Sequence, residues 1–283
     1  MHPLFEQLPR PAIFAHRGAS AHAPENTLAA FQLALHQGAD GIELDAQLTA
    51  DGQVVVFHDQ EVSRTTQGKG RVRDLKLSQL KMLDAGSHFD IAFQGEPVPS
   101  LDEVLATLGQ RTFINIELKN YSTILDRLPE KVVELIKFYN LTQRVLISSF
   151  NPIALRKVRR LAPEIAIGLL VLPGFYASLA TSRLGKWIVP YDSLHLPLSV
   201  VRAKSTPPAA WVAQRIIVYT VDNPADITYP NHTLHGQRLV IHTENIANMT
   251  RIPRHDNFYY AMFPLKFVGV TGSPVRAFAM WEE

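Results

Sequence analysis

The apolar positions of this chain fall into short runs, several of which end in charge. Ile13-Phe14-Ala15 leads into His16-Arg17-Gly18, while Gly41-Ile42-Glu43-Leu44-Asp45 and Phe113-Ile114-Asn115-Ile116-Glu117-Leu118-Lys119 interleave apolar and charged residues. Successive strand side chains point to opposite faces, so Glu43 and Asp45 share one face, and so do Glu117 and Lys119. Runs at 12–15, 41–45, 113–118, 145–148, 165–171, 193–196, 216–220 and 239–242 predict eight strands. Helical spacing lies between several of them. Asn26 is placed to cap a helix with Leu28, Phe31 and Leu35 on one face, closed by Gly38. Residues 129–139 form another, and Asn151-Pro152 opens a third that carries Leu155, Val158 and Leu161 before Pro163 stops it. The periodicity fades between the later strands, above all over Thr206 to Ala213.

Strand and helix alternating through eight strands favour a closed (β/α)8 barrel over an open doubly wound sheet. Two stretches depart from the rhythm. After the second strand, Asp51-Gly52 turns the chain into Val54-Val55-Val56-Phe57, which ends in His58-Asp59. From about 60 to 110 the alternation then lapses until Ser100 caps a helix from Leu101. So long a structureless loop is unusual inside a compact domain, and the stretch is expected to be a small insertion folded over one end. Beyond about residue 251 no further βα unit is visible, although Phe258, Tyr259, Tyr260, Phe263, Phe267, Phe278 and Trp281 suit a segment packed on the barrel. The expectation is one domain over 1–283, with an insertion at about 60–110 and a C-terminal extension at about 251–283.

Composition removes several classes of function. With 28 Lys and Arg against 26 Asp and Glu, the net charge of +2 is too small to imply nucleic acid as a partner. No cysteine is present, which excludes disulfides, thiolate metal sites and a cysteine nucleophile. The first residues lack the basic start and apolar stretch of a signal peptide, and no run is long enough to span a bilayer. A soluble cytoplasmic protein is expected, its oligomeric state not legible.

The chemistry follows from the barrel. Parallel strands bring their C-terminal ends to one mouth, so His16, Arg17, Glu43, Asp45, Glu117 and Lys119 converge there, and His58 reaches it from the hairpin. Three carboxylates are oxygen donors suited to Mg²⁺ or Ca²⁺. Arg17 and Lys119 would offset the charge of a phosphate, and two histidines supply an acid and a base near neutral pH. Each feature alone has an ordinary explanation: a solvated rim carboxylate, a rim ion pair, a histidine in a turn. Their concurrence at neighbouring strand ends argues for phosphoryl-transfer chemistry.

Taken together, His16-Arg17-Gly18, Pro24-Glu25-Asn26-Thr27, Glu43-Leu44-Asp45, His58-Asp59 and Ile116-Glu117-Leu118-Lys119 resemble the glycerophosphodiester phosphodiesterases over roughly residues 12–120, with Ser148-Ser149-Phe150 and Val218-Tyr219-Thr220 continuing the likeness. The resemblance implies an α/β fold, a (β/α)8 TIM barrel with a small insertion after the second barrel strand. It also implies hydrolysis of a small-molecule glycerophosphodiester to glycerol 3-phosphate and an alcohol. By that likeness Glu43, Asp45 and Glu117 bind one divalent cation, Mg²⁺ or Ca²⁺. His16 and His58 act as general acid and base, and Arg17 and Lys119 contact the phosphate. The substrate's own glycerol 2-hydroxyl would be the nucleophile, in keeping with the absence of cysteine. The alternatives are a lysophospholipase D-type enzyme acting on lysophospholipids and a barrel that binds phosphoesters without turning them over.

Overall fold

The computed structural model describes residues 2–9, 12–123, 125–172, 182, 185, 188–202 and 215–222, together with the backbone of 239–243. The stretch 206–213, the tail from 251 onward and the side chain of His242 lie outside the described residues.

All eight predicted strands form. They are β1 (Ala12–His16), β2 (Gly41–Leu48), β4 (Phe113–Leu118), β5 (Val145–Ser149), β6 (Ala166–Leu170), β7 (Ser193–Pro197), β8 (Arg215–Tyr219) and β9 (Leu239–Thr243), all in parallel register with their neighbours. Strand β1 pairs with both β2 and β9, which closes the sheet into a ring. The ninth strand, β3 (Val54–Val56), runs antiparallel along the end of β2 and lengthens that strand beyond its predicted end at Asp45.

Alternation along each strand sorts the side chains. Ile42, Leu44, Ile114, Ile116, Ile147 and Ile167 pack into the large core shared with the surrounding helices. Their neighbours in sequence, Glu43, Asp45, Asn115, Glu117 and Ser148, lie on the other face, in the lumen. The lumen's lower end is apolar. A four-residue helix α1 (Leu4–Gln7), to which the periodicity assigns no element, puts Leu4, Phe5 and Leu8 against Ala12, Phe14, Leu146, Ala166 and Ile217. The Arg215 guanidinium stacks 5.3 Å from the Phe5 ring and donates to the Phe5 carbonyl at 3.2 Å, so α1 is held as a stopper.

Four helices stand where the sequence predicts them: α2 (Leu28–His36), α4 (Leu101–Leu108), α5 (Leu128–Phe138) and α6 (Pro152–Leu161). Ser100 and Glu103 close a capping box on α4, and Asn151 caps α6 ahead of its N-terminal proline. The cap of α2 departs from expectation. Thr27, not Asn26, accepts from the Ala30 amide at 3.2 Å, and Asn26 takes a left-handed conformation with φ 57° that turns its amide toward the barrel.

Between β3 and α4 the chain is not structureless. Short turns at Val62–Arg64 and Val72–Asp74 and a helix α3 (Leu77–Leu80) surround a small core of Val55, Phe57, Val62, Val72, Leu80, Ala85 and Val98. Gly18 is required at the end of β1: its φ is +83°, and a Cβ there would meet the Ala30 backbone at 2.7 Å. Gly18→Ala is therefore expected to lower unfolding stability by about 2 kcal/mol or more. A urea midpoint equal to that of the unsubstituted protein would refute this.

Candidate active site

Adjacent strands set the carboxylates. Parallel register places Asp45 opposite Glu117 and Glu43 opposite both His16 and Asn115, so the charged residues of β1, β2 and β4 occupy neighbouring sites at one end of the lumen. One oxygen from each of Glu43, Asp45 and Glu117 lies within 4.8 Å of the others, and all three residues are buried. Glu43 and Glu117 of this cluster line a mouth with His16, Arg17, His58 and Lys119, around a cavity of about 190 Å³. The seven residues singled out by sequence are thus brought together; six line the cavity, and Asp45 joins them through its contacts with Arg17 and Lys119.

Two cations bind the cluster. The Lys119 ammonium lies 3.1 Å from Glu117 and 3.4 Å from Asp45. The Arg17 Nε is 3.4 Å from Asp45, its terminal nitrogen donates to Glu25 at 3.1 Å, and its backbone amide donates to Glu43 at 3.0 Å. Arg17 itself has φ 57°, the turn that lets amide and side chain both address the mouth. Asn26, freed from capping, donates to Asp45 Oδ2 at 2.8 Å.

These surroundings separate the carboxylates. Burial, reinforced by the charge of Asp45, pushes Glu43 up to about 8. Burial acts upward on Asp45 as well, but Lys119, Arg17, His58 and the Asn26 hydrogen bond together hold it at about 2. Burial opposes the charge on Lys119, yet Asp45 and Glu117 raise its pKa, so it stays an ammonium. Tyr121, unmarked in the sequence, donates its hydroxyl to Glu117; burial and that negative charge raise its pKa and keep it a donor.

His58 is oriented from outside. Its Nδ1 lies 2.6 Å from Asp59, which pairs with Arg64; Arg64 in turn grips Glu25 through two bonds of 2.9 and 2.7 Å. Glu25 also holds Arg17, so a continuous chain of ion pairs joins Arg17 to His58 around the rim. Gln47 on β2 donates to the Phe57 and Asp59 carbonyls at 2.8 and 2.7 Å and ties the hairpin end to the barrel. Contact with Asp59 occupies Nδ1 of His58 and leaves Nε2 as its second ring nitrogen. Asp59→Asn is expected to lower turnover by about 10-fold or more with KM little changed. An unaltered kcat would remove Asp59 from that role.

Two other histidines stand apart. His195 is fully buried in the lumen beside Ser193 Oγ at 3.1 Å, and burial pushes its pKa down to about 3, so it is a neutral packing residue and does not line the mouth. His22 is half-buried with its Nδ1 shielded from solvent.

The donor set fits a divalent cation. Three convergent carboxylates are hard oxygen donors, and among the described residues the buried Glu43 Oε1 has no hydrogen-bond partner. Two further buried acceptors at the cavity, Asn115 Oδ1 and Ser148 Oγ, are likewise unpartnered among the described residues. Opposite the charged arc stand Phe150, Leu170 and Tyr219, with Phe150 edge-on to both Tyr121 and Tyr219. The mouth is therefore charged on the β1, β2 and β4 side and aromatic on the other.

Comparison with known proteins is consistent over the chain. The family model for the glycerophosphoryl diester phosphodiesterase family matches residues 16–266. A glycerophosphodiester phosphodiesterase of Caldanaerobacter subterraneus subsp. tengcongensis is 50% identical over 159 residues, which cover 56% of this chain and 65% of the relative, just under two thirds of its length. Among solved structures, a glycerophosphodiester phosphodiesterase from Agrobacterium tumefaciens is 31% identical with a TM-score of 0.70, covering 84% of this chain and 99% of that one. An Oleispira antarctica phosphodiesterase in complex with the product sn-glycerol-3-phosphate is 30% identical with a TM-score of 0.71, covering 85% of this chain and 96% of that one.

Proposed function

This chain belongs to the glycerophosphoryl diester phosphodiesterase family, and on that premise we propose that it hydrolyses glycerophosphodiesters to glycerol 3-phosphate and an alcohol. The observation that carries the reading is the gathering of three buried carboxylates, two cations and two histidines around one cavity. Glu43, Asp45 and Glu117 would hold one Mg²⁺ or Ca²⁺, which when bound supplies positive charge to stabilise the developing charge on phosphate oxygens. Arg17 and Lys119 orient the phosphate and offset its charge. One of His16 and His58 takes the proton from the substrate's glycerol 2-hydroxyl as it attacks phosphorus, and the other gives a proton to the departing alcohol. The resulting cyclic phosphate is opened by water, with the two histidines in exchanged roles. Tyr121 and Asn26 keep Glu117 and Asp45 in place.

The chain is read as one domain, with residues 60–110 as an insertion after the second barrel strand whose hairpin carries His58. No helix among the described residues is long and apolar enough to cross a membrane. A cytoplasmic location belongs to the same reading.

The deciding assay is glycerol 3-phosphate release from glycerophosphocholine by purified protein with EDTA, Mg²⁺ or Ca²⁺. Release restored by one cation after EDTA supports the reading and identifies the ion. A second reading, cleavage of lysophospholipids, draws on Phe150, Leu170 and Tyr219, an apolar wall that would cover an acyl chain. Turnover of lysophosphatidylcholine alone would favour it, and metal binding without turnover of either compound would indicate a binding barrel.

A further inference from the structure

A second cavity, of about 160 Å³, adjoins the first, and Lys119 lines both. Its remaining charged lining consists of Arg71, Arg73 and Asp126. The acid is already engaged: Asp126 accepts from the Leu128 amide, the Asn120 amide group and the Thr123 hydroxyl at 3.0, 3.1 and 2.6 Å. The arginines are not comparably engaged. Among the described residues Arg71 pairs with no carboxylate, and Arg73 has only exposed Asp74, 3.8 Å away, a pairing of little worth in solvent.

Their backbone is nonetheless fixed. Arg71 bridges Glu61 in antiparallel fashion, and Val72, between the two arginines, is fully buried in the small core with Val55 and Phe57. Two exposed arginines thus line this cavity from an anchored turn beside the mouth, with Gln60 and Ser122 as further polar lining. Planar guanidinium forks match the oxygens of a phosphate or carboxylate.

We propose that this second cavity is a subsite for an anionic group, a phosphate monoester or a carboxylate, carried by the alcohol half of the substrate. The proposal rests on the phosphodiesterase reading and adds to it a substrate class: glycerophosphodiesters whose leaving alcohol is itself negatively charged. The diester phosphate and the second anion would then flank the Lys119 ammonium from its two sides.

The test uses substrate pairs that differ by one anion: glycerophosphoinositol against its 4-phosphate, and glycerophosphoethanolamine against glycerophosphoserine. In the metal-loaded unsubstituted protein, KM is expected to be lower by about 10-fold or more for the anionic member of at least one pair, and the responding pair distinguishes phosphate from carboxylate. In the double variant Arg71→Ser/Arg73→Ser that ratio should collapse toward unity, while kcat/KM for the member without the added anion is unchanged. The preference should also shrink as salt is raised. Equal KM values within both pairs, or a preference that survives the double substitution, would overturn the subsite. Should no diester be turned over, calorimetry on the metal-loaded protein with the same four compounds takes the place of KM. Arginine-dependent binding would then uphold the subsite while the phosphodiesterase reading fails, and binding indifferent to the arginines would overturn the subsite too.

Discussion

Glu43→Gln is expected to abolish metal binding and to reduce phosphodiesterase turnover on the order of 10³-fold or more, the equivalent of several kcal/mol of transition-state stabilisation. The substitution keeps the shape of the side chain and its acceptor for the Arg17 amide, but removes the anion that a cation would require. It should not unfold the protein. Burial and the neighbouring Asp45 push the Glu43 carboxyl upward, toward its neutral form, so a neutral amide is a close substitute within the fold. Calorimetric titration with Mg²⁺ and Ca²⁺, together with thermal unfolding in EDTA, separates the two effects. Metal affinity retained in the variant would end the assignment of Glu43 as a ligand, whereas a melting temperature lowered by many degrees would mean that the carboxylate is structural.

His16→Ala should lower kcat by about 10²- to 10⁴-fold while leaving metal binding largely intact. The imidazole ends β1, keeps about a seventh of its side-chain surface exposed to the mouth (14%) and stands 3.9 Å from Glu43, beyond hydrogen-bonding distance and not itself among the three clustered oxygen donors. Its removal should therefore flatten one limb of the pH profile of kcat/KM rather than empty the cation site. Unchanged turnover would take His16 out of the proton transfers. Lost metal binding would instead make it a support for Glu43.

What could be read in advance was whatever the local chain dictates. Each barrel strand is a compact apolar run whose polar members alternate in step, so eight strands and the shared faces of Glu43 with Asp45 and Glu117 with Lys119 follow from a period of two. Once the strands are parallel, the convergence of His16, Arg17 and the three carboxylates is a matter of direction alone. What local rules missed depends on contacts between distant residues. Asn26 looked like a cap because it precedes a helix, yet Thr27 serves there and Asn26 reaches across to Asp45. Arg64 and Glu25 are 39 positions apart, and no spacing announces that they join Asp59 to Arg17. Tyr121 gives no sign of its bond to Glu117 until the loop after β4 is folded back. The helix α1 is too short for any periodicity to declare it, and it exists because the barrel offers Leu4, Phe5 and Leu8 an apolar floor.

That floor makes the barrel a blind well. With Leu4, Phe5 and Phe14 filling the lower lumen, the described residues leave the upper rim as the way in for a polar ligand. For the proposed two-step reaction this would impose an order of events. On the proposed route the leaving alcohol and the incoming water would share one doorway, so a bulky alcohol that lingers at the threshold would be expected to slow opening of the cyclic phosphate without altering the step that forms it.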